Sequence, residues 1–377
     1  ALMAGVEGVM SLAQGIVHWG PPDAATQAAT EALQGTQVHQ YGPTEGLPAL
    51  REALVRKLSE ENGLEGVNVM VTAGANQAYT NVVLTLTDEA DRCVLFAPYY
   101  FNHLMAHQMT GGGDNVVLGP CNPKTFRPDL DWLQAELSGA QPPKMVTIVN
   151  PNNPTGVLMS DMELKEAARM CEKAGVWLVV DNTYEHFVYD GREHSCVGGP
   201  HIINVFSFSK AYGMMGWRMG YIAYPSSGSL GEEMDKVQDT IPICPTQISM
   251  HMALGAVNAG REWVAAHVRS LEPNRQAILD ALSPLGSPGD GIVGGEGAIY
   301  VWAKLPADCG GSDEKVMEWL IKAHGVCIIP GSSCGAPGYM RVAYANMQPE
   351  ACAKAASRLK AGLQELVASG LPEAYRD

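Results

Sequence analysis

Residues 205–221 read VFSFSKAYGMMGWRMGY. The apolar run of Ile202, Ile203, Val205 and Phe206 has the composition of a buried strand, and it stops at Ser207-Phe208-Ser209-Lys210. A glycine-punctuated loop then leads to Arg218 and to a second apolar run from Tyr221 to Tyr224. One amine, two hydroxyls and one guanidinium are thereby gathered at a sheet edge. Most loop lysines are solvated charges. Lys210 instead has small, aromatic and apolar neighbours, so partial desolvation would lower the pKa of its amine and free it to form a Schiff base. The glycines at 213, 216 and 220 let the backbone turn tightly beside a bound group. Arg218 offers a planar fork to a phosphate and Ser207 a hydroxyl. A phosphate-bearing aldehyde would use every one of these parts.

With 377 residues the chain can build two domains with substantial cores. Apolar residues make up 46% and charged residues 17%, the balance of an ordinary globular protein. Forty acidic against 25 basic residues give a net charge of −15, which disfavours nucleic acid or an anionic membrane as partner. A bound phosphate must therefore be held by local donors. No apolar run approaches the roughly 18 residues of a membrane span. The nine cysteines (93, 121, 171, 196, 244, 309, 327, 334 and 352) are odd in number and form no C-x-x-C pair. That favours free thiols in a reducing compartment and argues against a structural zinc site, so no metal is expected. Cys334 reads as a buried small hydrophobe. The opening ALMAGVEGVM starts without methionine, which leaves room for a missing leader, yet it is too short and lacks the basic region of a signal peptide. The expected location is the cytoplasm, with a plastid as the alternative.

The segment 11–23, SLAQGIVHWGPPD, is irregular at Gly15, Pro21 and Pro22, and a helical run follows from Ala24 to Leu33. Trp19 reads equally as a domain-packing aromatic or as a site residue. Tyr41-Gly42-Pro43 is a turn before an amphipathic helix with Leu47, Leu50, Leu54 and Leu58 on one stripe and Pro48 near its first turn. Val69 to Ala73 reads as a strand, and Gly74-Ala75-Asn76-Gln77 opens a helix whose N–H groups sit at the positive end of its dipole. Together with Ser207 and Arg218 this makes the third side of a phosphate cup. Cys93 to Phe96 is a buried strand ending at Ala97-Pro98-Tyr99-Tyr100, where an aromatic either packs or shows its face to a planar ring. Gly111 to Asp114 is a turn, and without a following Lys-Ser/Thr it is no P-loop.

Met145 to Val149 is another strand, and it runs into Asn150-Pro151-Asn152-Asn153-Pro154-Thr155-Gly156, where two X-Pro steps and a glycine impose a rigid loop. Ser160-Asp161-Met162-Glu163 supplies a capping box for the next helix. Val176 to Val180 is a strand ending in Asp181-Asn182-Thr183-Tyr184. A carboxylate where a buried strand stops is costly unless paired, so Asp181 either meets a cation or caps the following turn. Helical sequence from about Leu230 to Leu285 suggests a helix crossing from a large domain to a smaller one. Residues 291–377 then carry the strand pattern GGEGAIYVWAKLP, a helix from Glu314 to His324, the short run Val326 to Ile329, Pro330-Gly331 and an alternating strand from Tyr339 to Tyr344. A final helix has Leu359, Leu363 and Leu366 on one face. Arg341 lies in that alternating strand, where an arginine is ordinarily a surface charge.

SFSKAYGMMGWRMGY resembles the lysine motif of pyridoxal-phosphate aminotransferases of the aspartate aminotransferase fold, and other segments match in that family's order from about Ser11 to the C-terminus. SLAQGIVHW, YGPTEGLP, AGANQAY, PYYFNH and GGEGAIYVWAKLP are similar to the plant-type aromatic aminotransferases, which pair aromatic amino acids or methionine with 2-oxo acids. The resemblance implies an α/β protein of fold type I. Its large domain (41–270) would have a mostly parallel central sheet flanked by helices, and a smaller α+β domain would be built from 1–40 and 271–377. The implied cofactor is pyridoxal 5′-phosphate. Lys210 would hold it and shuttle protons, Asp181 would pair with its ring nitrogen, and Tyr184 and Asn153 would bond its 3′ oxygen. Tyr100 would lie against the ring, while Gly74, Ala75, Asn76, Ser207 and Arg218 would hold the phosphate. The pattern around Tyr41, Gly46, Leu50 and Arg51 implies that Tyr41 reaches the phosphate of a second copy, so the partner is a homodimer with shared sites. Arg341 would grip the substrate carboxylate, with Asn153, Gly15 and Trp19 bordering the substrate.

A dicarboxylate substrate would call for a second arginine, and no motif supplies one. The segment Ile16-Val17-His18-Trp19 and Tyr100 suit a neutral, bulky side chain. The expected reaction is therefore ping-pong transamination between aromatic amino acids or methionine and aromatic 2-oxo acids such as indole-3-pyruvate or phenylpyruvate. The competing expectations are a C–S lyase, an elimination like that of aminocyclopropane-carboxylate synthases, an aspartate- or kynurenine-type aminotransferase, and a non-catalytic binding protein that keeps the fold.

Overall fold

The structure, a computed structural model, describes residues 6–307 and 312–376, so the first five residues of the opening segment and Cys309 lie outside the described residues. The first strand, β1 (Met10–Ser11), stands apart from the main sheet. That sheet is built from β2 (Val67–Thr72), β3 (Cys93–Ala97), β4 (Val116–Pro120), β5 (Met145–Val149), β6 (Trp177–Asp181), β7 (Ile202–Ser207) and β8 (Gly220–Pro225). Its seven strands run in the order β2-β8-β7-β6-β5-β3-β4, and β8 alone is antiparallel to its neighbours. Parallel strands need crossover connections, and these put helices on both faces. The strands accordingly bury both faces. Val94, Phe96, Val146, Ile148, Leu178 and Val180 pack against α5 (Leu130–Leu137) and α6 (Asp161–Ala174). The alternate residues Cys93, Met145, Val179, Ile203 and Val205 pack with Ala78, Tyr79, Val82 and Val83 of α3 (Ala75–Leu86). Ser160 accepts a hydrogen bond from the Glu163 N–H while Glu163 accepts from the Ser160 N–H, so α6 begins at the expected capping box.

A second sheet, in the order β13-β14-β11-β10-β9, contains β9 (Ser287–Pro288), β10 (Gly291–Gly294), β11 (Tyr300–Lys304), β13 (Ile329–Pro330) and β14 (Tyr339–Ala343). Val301, Ala303, Met340 and Val342 share a core with Val316, Trp319 and Leu320 of α11 (Asp313–His324) and with Leu359, Leu363 and Leu366 of α12 (Pro349–Ser369). The chain's start is tied to this part. β1 pairs in parallel with β12 (Val326–Cys327), and the Ala343 N–H donates to the Leu12 carbonyl. Among the described residues no helix is long and apolar enough to cross a membrane, and no cluster of His, Cys, Asp and Glu is arranged to hold a metal ion. The eight cysteines within the described residues are free thiols.

One expectation needs correction. No single helix crosses between the two sheets over Leu230–Leu285. Four helices occupy that span: α7 (Leu230–Thr240), α8 (Gln247–Asn258), α9 (Arg261–Arg269) and α10 (Glu272–Leu282). Pro242 and Pro245 remove backbone donors after α7, and Gly260 takes a φ of +83° between α8 and α9. The alanine-rich stripe serves a different contact. α8 packs on α1 (Asp23–Ala32), where a Cβ at Gly255 would collide with the Ala24 carbonyl.

Ile148, 1% exposed in the core beneath α5 and α6, tests the main sheet. Ile148→Ala is expected to destabilise the protein by about 2–5 kcal/mol, read from the denaturant unfolding midpoint.

Candidate active site

The parallel strands β5, β6 and β7 end side by side, and the N-terminus of α3 faces them. A cavity of about 230 Å³ opens there, as expected beyond the carboxyl ends of an open α/β sheet. Its walls include Ala75, Asn76, Tyr100, Asn153, Asp181, Tyr184, Ser207, Lys210, Arg218 and Arg341, together with Gly15. Seven separate segments of the sequence therefore meet in one space.

Asp181 is the last residue of β6, paired with Val149 and Val205 on the flanking strands. Its side chain is almost wholly buried. Oδ2 lies 3.0 Å from His103 Nε2, and Oδ1 accepts from the Thr183 N–H at 2.9 Å. Burial alone would raise this carboxyl's pKa, but the bonds from His103 and Thr183 outweigh it and hold the group below its ordinary value. His103 stands on α4 (Phe101–Met109) and stacks on Tyr79 at 4.0 Å between ring centroids. Tyr79 in turn bonds Thr147 of β5 at 2.8 Å.

The turn after Asp181 is fixed from outside the cavity. Asn182 bonds Asn204 at 3.0 Å, and Glu185 accepts from Lys57 of α2 (Pro48–Asn62) at 2.5 Å and from Asn62 at 2.7 Å. Burial would raise the Glu185 pKa, yet Lys57 and the neighbouring histidines pull it down to about 2, so the carboxylate is ionised. Tyr184 is thereby aimed into the cavity, its hydroxyl 2.6 Å from that of Tyr300.

Lys210 projects from a loop anchored by the buried side chains of Phe208, Ala211, Tyr212 and Met214. Burial, reinforced by the positive charges of Arg218 and Arg341, lowers its ammonium pKa to about 8. Arg218 takes a left-handed φ of +51° and donates to the Met215 carbonyl at 2.8 Å. Its guanidinium lies across Gly74, where φ is +85° and a Cβ would collide with it. Gly220 is required for the same approach, since a Cβ there would stand 2.7 Å from the Ala75 nitrogen. The result is a positive concavity formed by a helix N-terminus, an arginine and the Ser207 hydroxyl. Arg341, expected at a surface by default, is 4% exposed. It donates to Asn153 Oδ1 at 2.9 Å and to the Ala13 carbonyl at 2.8 Å, and its Nε is buried without a partner. A buried, incompletely satisfied guanidinium is a receptor for a carboxylate.

Two expected site residues lie elsewhere. Trp19 is outside the cavity wall; it stacks on Phe187 at 6.3 Å within the main core, the packing alternative. Tyr41 is 80% exposed and touches no part of the cavity in this chain. The structure adds Thr183, Ser209, Phe101, Val149 and Tyr300 to the wall and His103 behind it. His103 was within reach of sequence reasoning, because it lies three residues after Tyr100 at the start of a helix and so shares a face with it. Tyr300 gave no such signal, since an aromatic in an apolar strand looks like core.

The sequence profile of the family described as aminotransferase class I and II matches residues 7–359. The chain is 51% identical to aromatic aminotransferase ISS1 of Arabidopsis thaliana over 375 residues, covering 99% of this chain and 94% of that protein. It is 29% identical to aromatic aminotransferase from Pyrococcus horikoshii OT3, with a TM-score of 0.86 over 97% of this chain and 98% of that one. It is also 29% identical to Thermus thermophilus aspartate aminotransferase with maleate, with a TM-score of 0.85 over 95% and 92%.

Labelling of the ligand-free protein with an amine-reactive reagent, followed by peptide mapping at successive pH values, is expected to place the Lys210 midpoint near 8. Arg218→Ala removes a neighbouring cation, favours the ammonium form and moves that midpoint upward. A midpoint at the ordinary 10.5 would show that the amine is not desolvated.

Proposed function

The chain belongs to the class I and II aminotransferase family, and on that premise we propose that it moves an amino group between aromatic amino acids or methionine and aromatic 2-oxo acids such as indole-3-pyruvate or phenylpyruvate. Members of the family use pyridoxal 5′-phosphate. The residues present fit that group. Each oxygen of Asp181 has one partner and keeps a lone pair for a protonated ring nitrogen, and Gly74 and Gly220 let Arg218 and the start of β8 lie close against the N-terminus of α3, which gathers phosphate donors in one place. When bound, the cofactor supplies an aldehyde that captures amines and a cationic ring that absorbs the charge of a carbanion.

The chain's own residues would divide the work as follows. Lys210 Nζ, its pKa lowered to about 8, would hold the aldehyde carbon and, once released, would carry a proton from the substrate Cα. Asp181 keeps the ring nitrogen protonated. Asn153 has spent Oδ1 on Arg341, so its Nδ2 is left to donate, with Tyr184, to the 3′ oxygen. Arg341 fixes the substrate carboxylate and so orients the Cα–H bond. Ser207, Arg218 and the N–H groups from Gly74 to Asn76 hold the phosphate, and Tyr100 covers the ring.

One observation carries the substrate class. The cations on the cavity wall are Lys210, Arg218 and Arg341, each with a task of its own, and none among the described wall residues is left for a second carboxylate. Neutral and aromatic groups, among them Tyr100, Phe101, Val149 and Tyr300, supply most of the remaining surface. The aromatic activity in the name of the Arabidopsis relative, 51% identical, supports the same class.

We also propose two domains, 41–270 and 1–40 with 271–377, and a homodimer with shared sites. Tyr41, Ile241 and Ile243 are exposed on neighbouring segments, tied together where the Gly42 N–H meets Cys244 Sγ at 3.3 Å. Such a patch supports a second copy that takes Tyr41 toward its own phosphate site. The free thiols support a reducing compartment, the cytoplasm.

Initial rates over a matrix of amino donors and oxo-acid acceptors are expected to rank aromatic amino acids and methionine above aspartate. Activity confined to aspartate with 2-oxoglutarate would reject the substrate class, and pyruvate released without any acceptor would point to elimination. Sedimentation equilibrium should give twice the chain mass of 40.2 kDa, and a fully active monomer would sink the shared-site dimer.

A further inference from the structure

We propose that Tyr300 is a positioning residue that sets the hydrogen-bonding strength of Tyr184 through its hydroxyl and seats Arg341 with its ring, thereby joining the two ends of the site. The inference rests on the function proposed above and assigns a role to a residue to which the sequence reading gave none.

Three contacts converge on this side chain. Its hydroxyl is 2.6 Å from that of Tyr184, in a buried position where either oxygen can donate. The Arg341 guanidinium carbon lies 4.3 Å from its ring centroid, within cation–π range. Gly15 leaves the space that the hydroxyl occupies, since a Cβ at that position would collide with it. Strand geometry explains the convergence. Tyr300 of β11 and Arg341 of β14 are near neighbours across an antiparallel pair whose register sets Trp302 opposite Arg341, and side chains two residues apart share a face.

The direction of the Tyr300–Tyr184 bond follows from valence. A phenol has one proton to give. Once the Tyr184 proton points at the 3′ oxygen of a bound cofactor, the Tyr300 proton must point at the Tyr184 oxygen. Hydrogen bonds in such a chain polarise one another, so Tyr300 makes Tyr184 the better donor. A stronger donor at the 3′ oxygen stabilises the phenolate that remains when the Lys210–cofactor nitrogen loses its proton, and this lowers the midpoint of that titration. The ring acts separately. It forms the floor under Arg341 and so fixes the receptor for the substrate carboxylate.

Removing the hydroxyl while keeping the ring separates the two roles. In the cofactor-loaded protein, the pH midpoint of the visible absorption change is expected to rise by about half to one unit in Tyr300→Phe, the equivalent of one neutral hydrogen bond. The same bond predicts a kcat lower by about threefold to tenfold, with KM for the amino donor within about twofold because Arg341 keeps its seat. In a Tyr184→Phe background the Tyr300→Phe change should leave the midpoint where it is. Tyr300→Leu should add a KM increase of about tenfold, since the ring is lost as well. An unmoved midpoint in Tyr300→Phe, or the same shift with Tyr184 already replaced, would overturn the inference, as would a raised KM with kcat and midpoint unchanged. A protein that develops no visible band from Lys210 at all would overturn the proposed function itself, a failure that the spectrum distinguishes from the others.

Discussion

A carboxylate kept ionised where water is scarce is the constraint from which the site follows. Taking such a group out of water costs several kcal/mol even after the surroundings relax, so fixed donors must replace the lost solvent. Asp181 gets one from the Thr183 backbone, which only a turn placed directly after β6 can offer, and one from His103, which only α4 can carry to that point. His103 in turn needs Tyr79 beneath it, and Tyr79 needs Thr147 on β5. Two helices and two strands are thus set in register by one negative charge. On the far side, the buried Lys57–Glu185 pair pins the end of the same turn to α2. Breaking a buried pair is far more damaging than never having had it, so the turn has little freedom to drift.

The opposite wall obeys the opposite rule. Lys210 is surrounded by positive charge and apolar packing, and the fold makes it a poor ammonium. An acid held charged and an amine that gives up its proton more readily than a free lysine, set across one cavity, suit proton transfer at a carbon atom. Neither environment is produced by the residue itself. Each comes from the ends of neighbouring strands, and the site therefore sits where the parallel sheet delivers them.

The sequence made this half of the molecule legible for a physical reason. Strand ends, glycine loops and proline-locked turns are local, so Lys210 and Arg218 could be placed from their neighbours, whereas Asp181 kept two local readings and Asn153 took its role from the family resemblance. Helix continuity over Leu230–Leu285 was misjudged because alanine-rich composition hid the breaks at Pro242, Pro245 and Gly260. Arg341 could be placed only through family resemblance, since the two acceptors that satisfy it, Asn153 Oδ1 and the Ala13 carbonyl, are far off in the chain. Tyr300 was missed on the same ground, while His103 could have been reached only through the helix face it shares with Tyr100. Their partners, Tyr184 and Asp181, are joined to them by tertiary structure and by no spacing in the sequence. Trp19, beside two irregular prolines, had two readings with nothing local to separate them, and it packs on Phe187.

The seat of Arg341 is assembled from segments 328 residues apart, because its guanidinium leans on the carbonyl of Ala13 and β1 completes its pairing with β12. Holding Ala13 in place therefore also holds the Arg341 guanidinium, so a loosening of the β1–β12 pair would be felt at a cavity wall that neither strand lines.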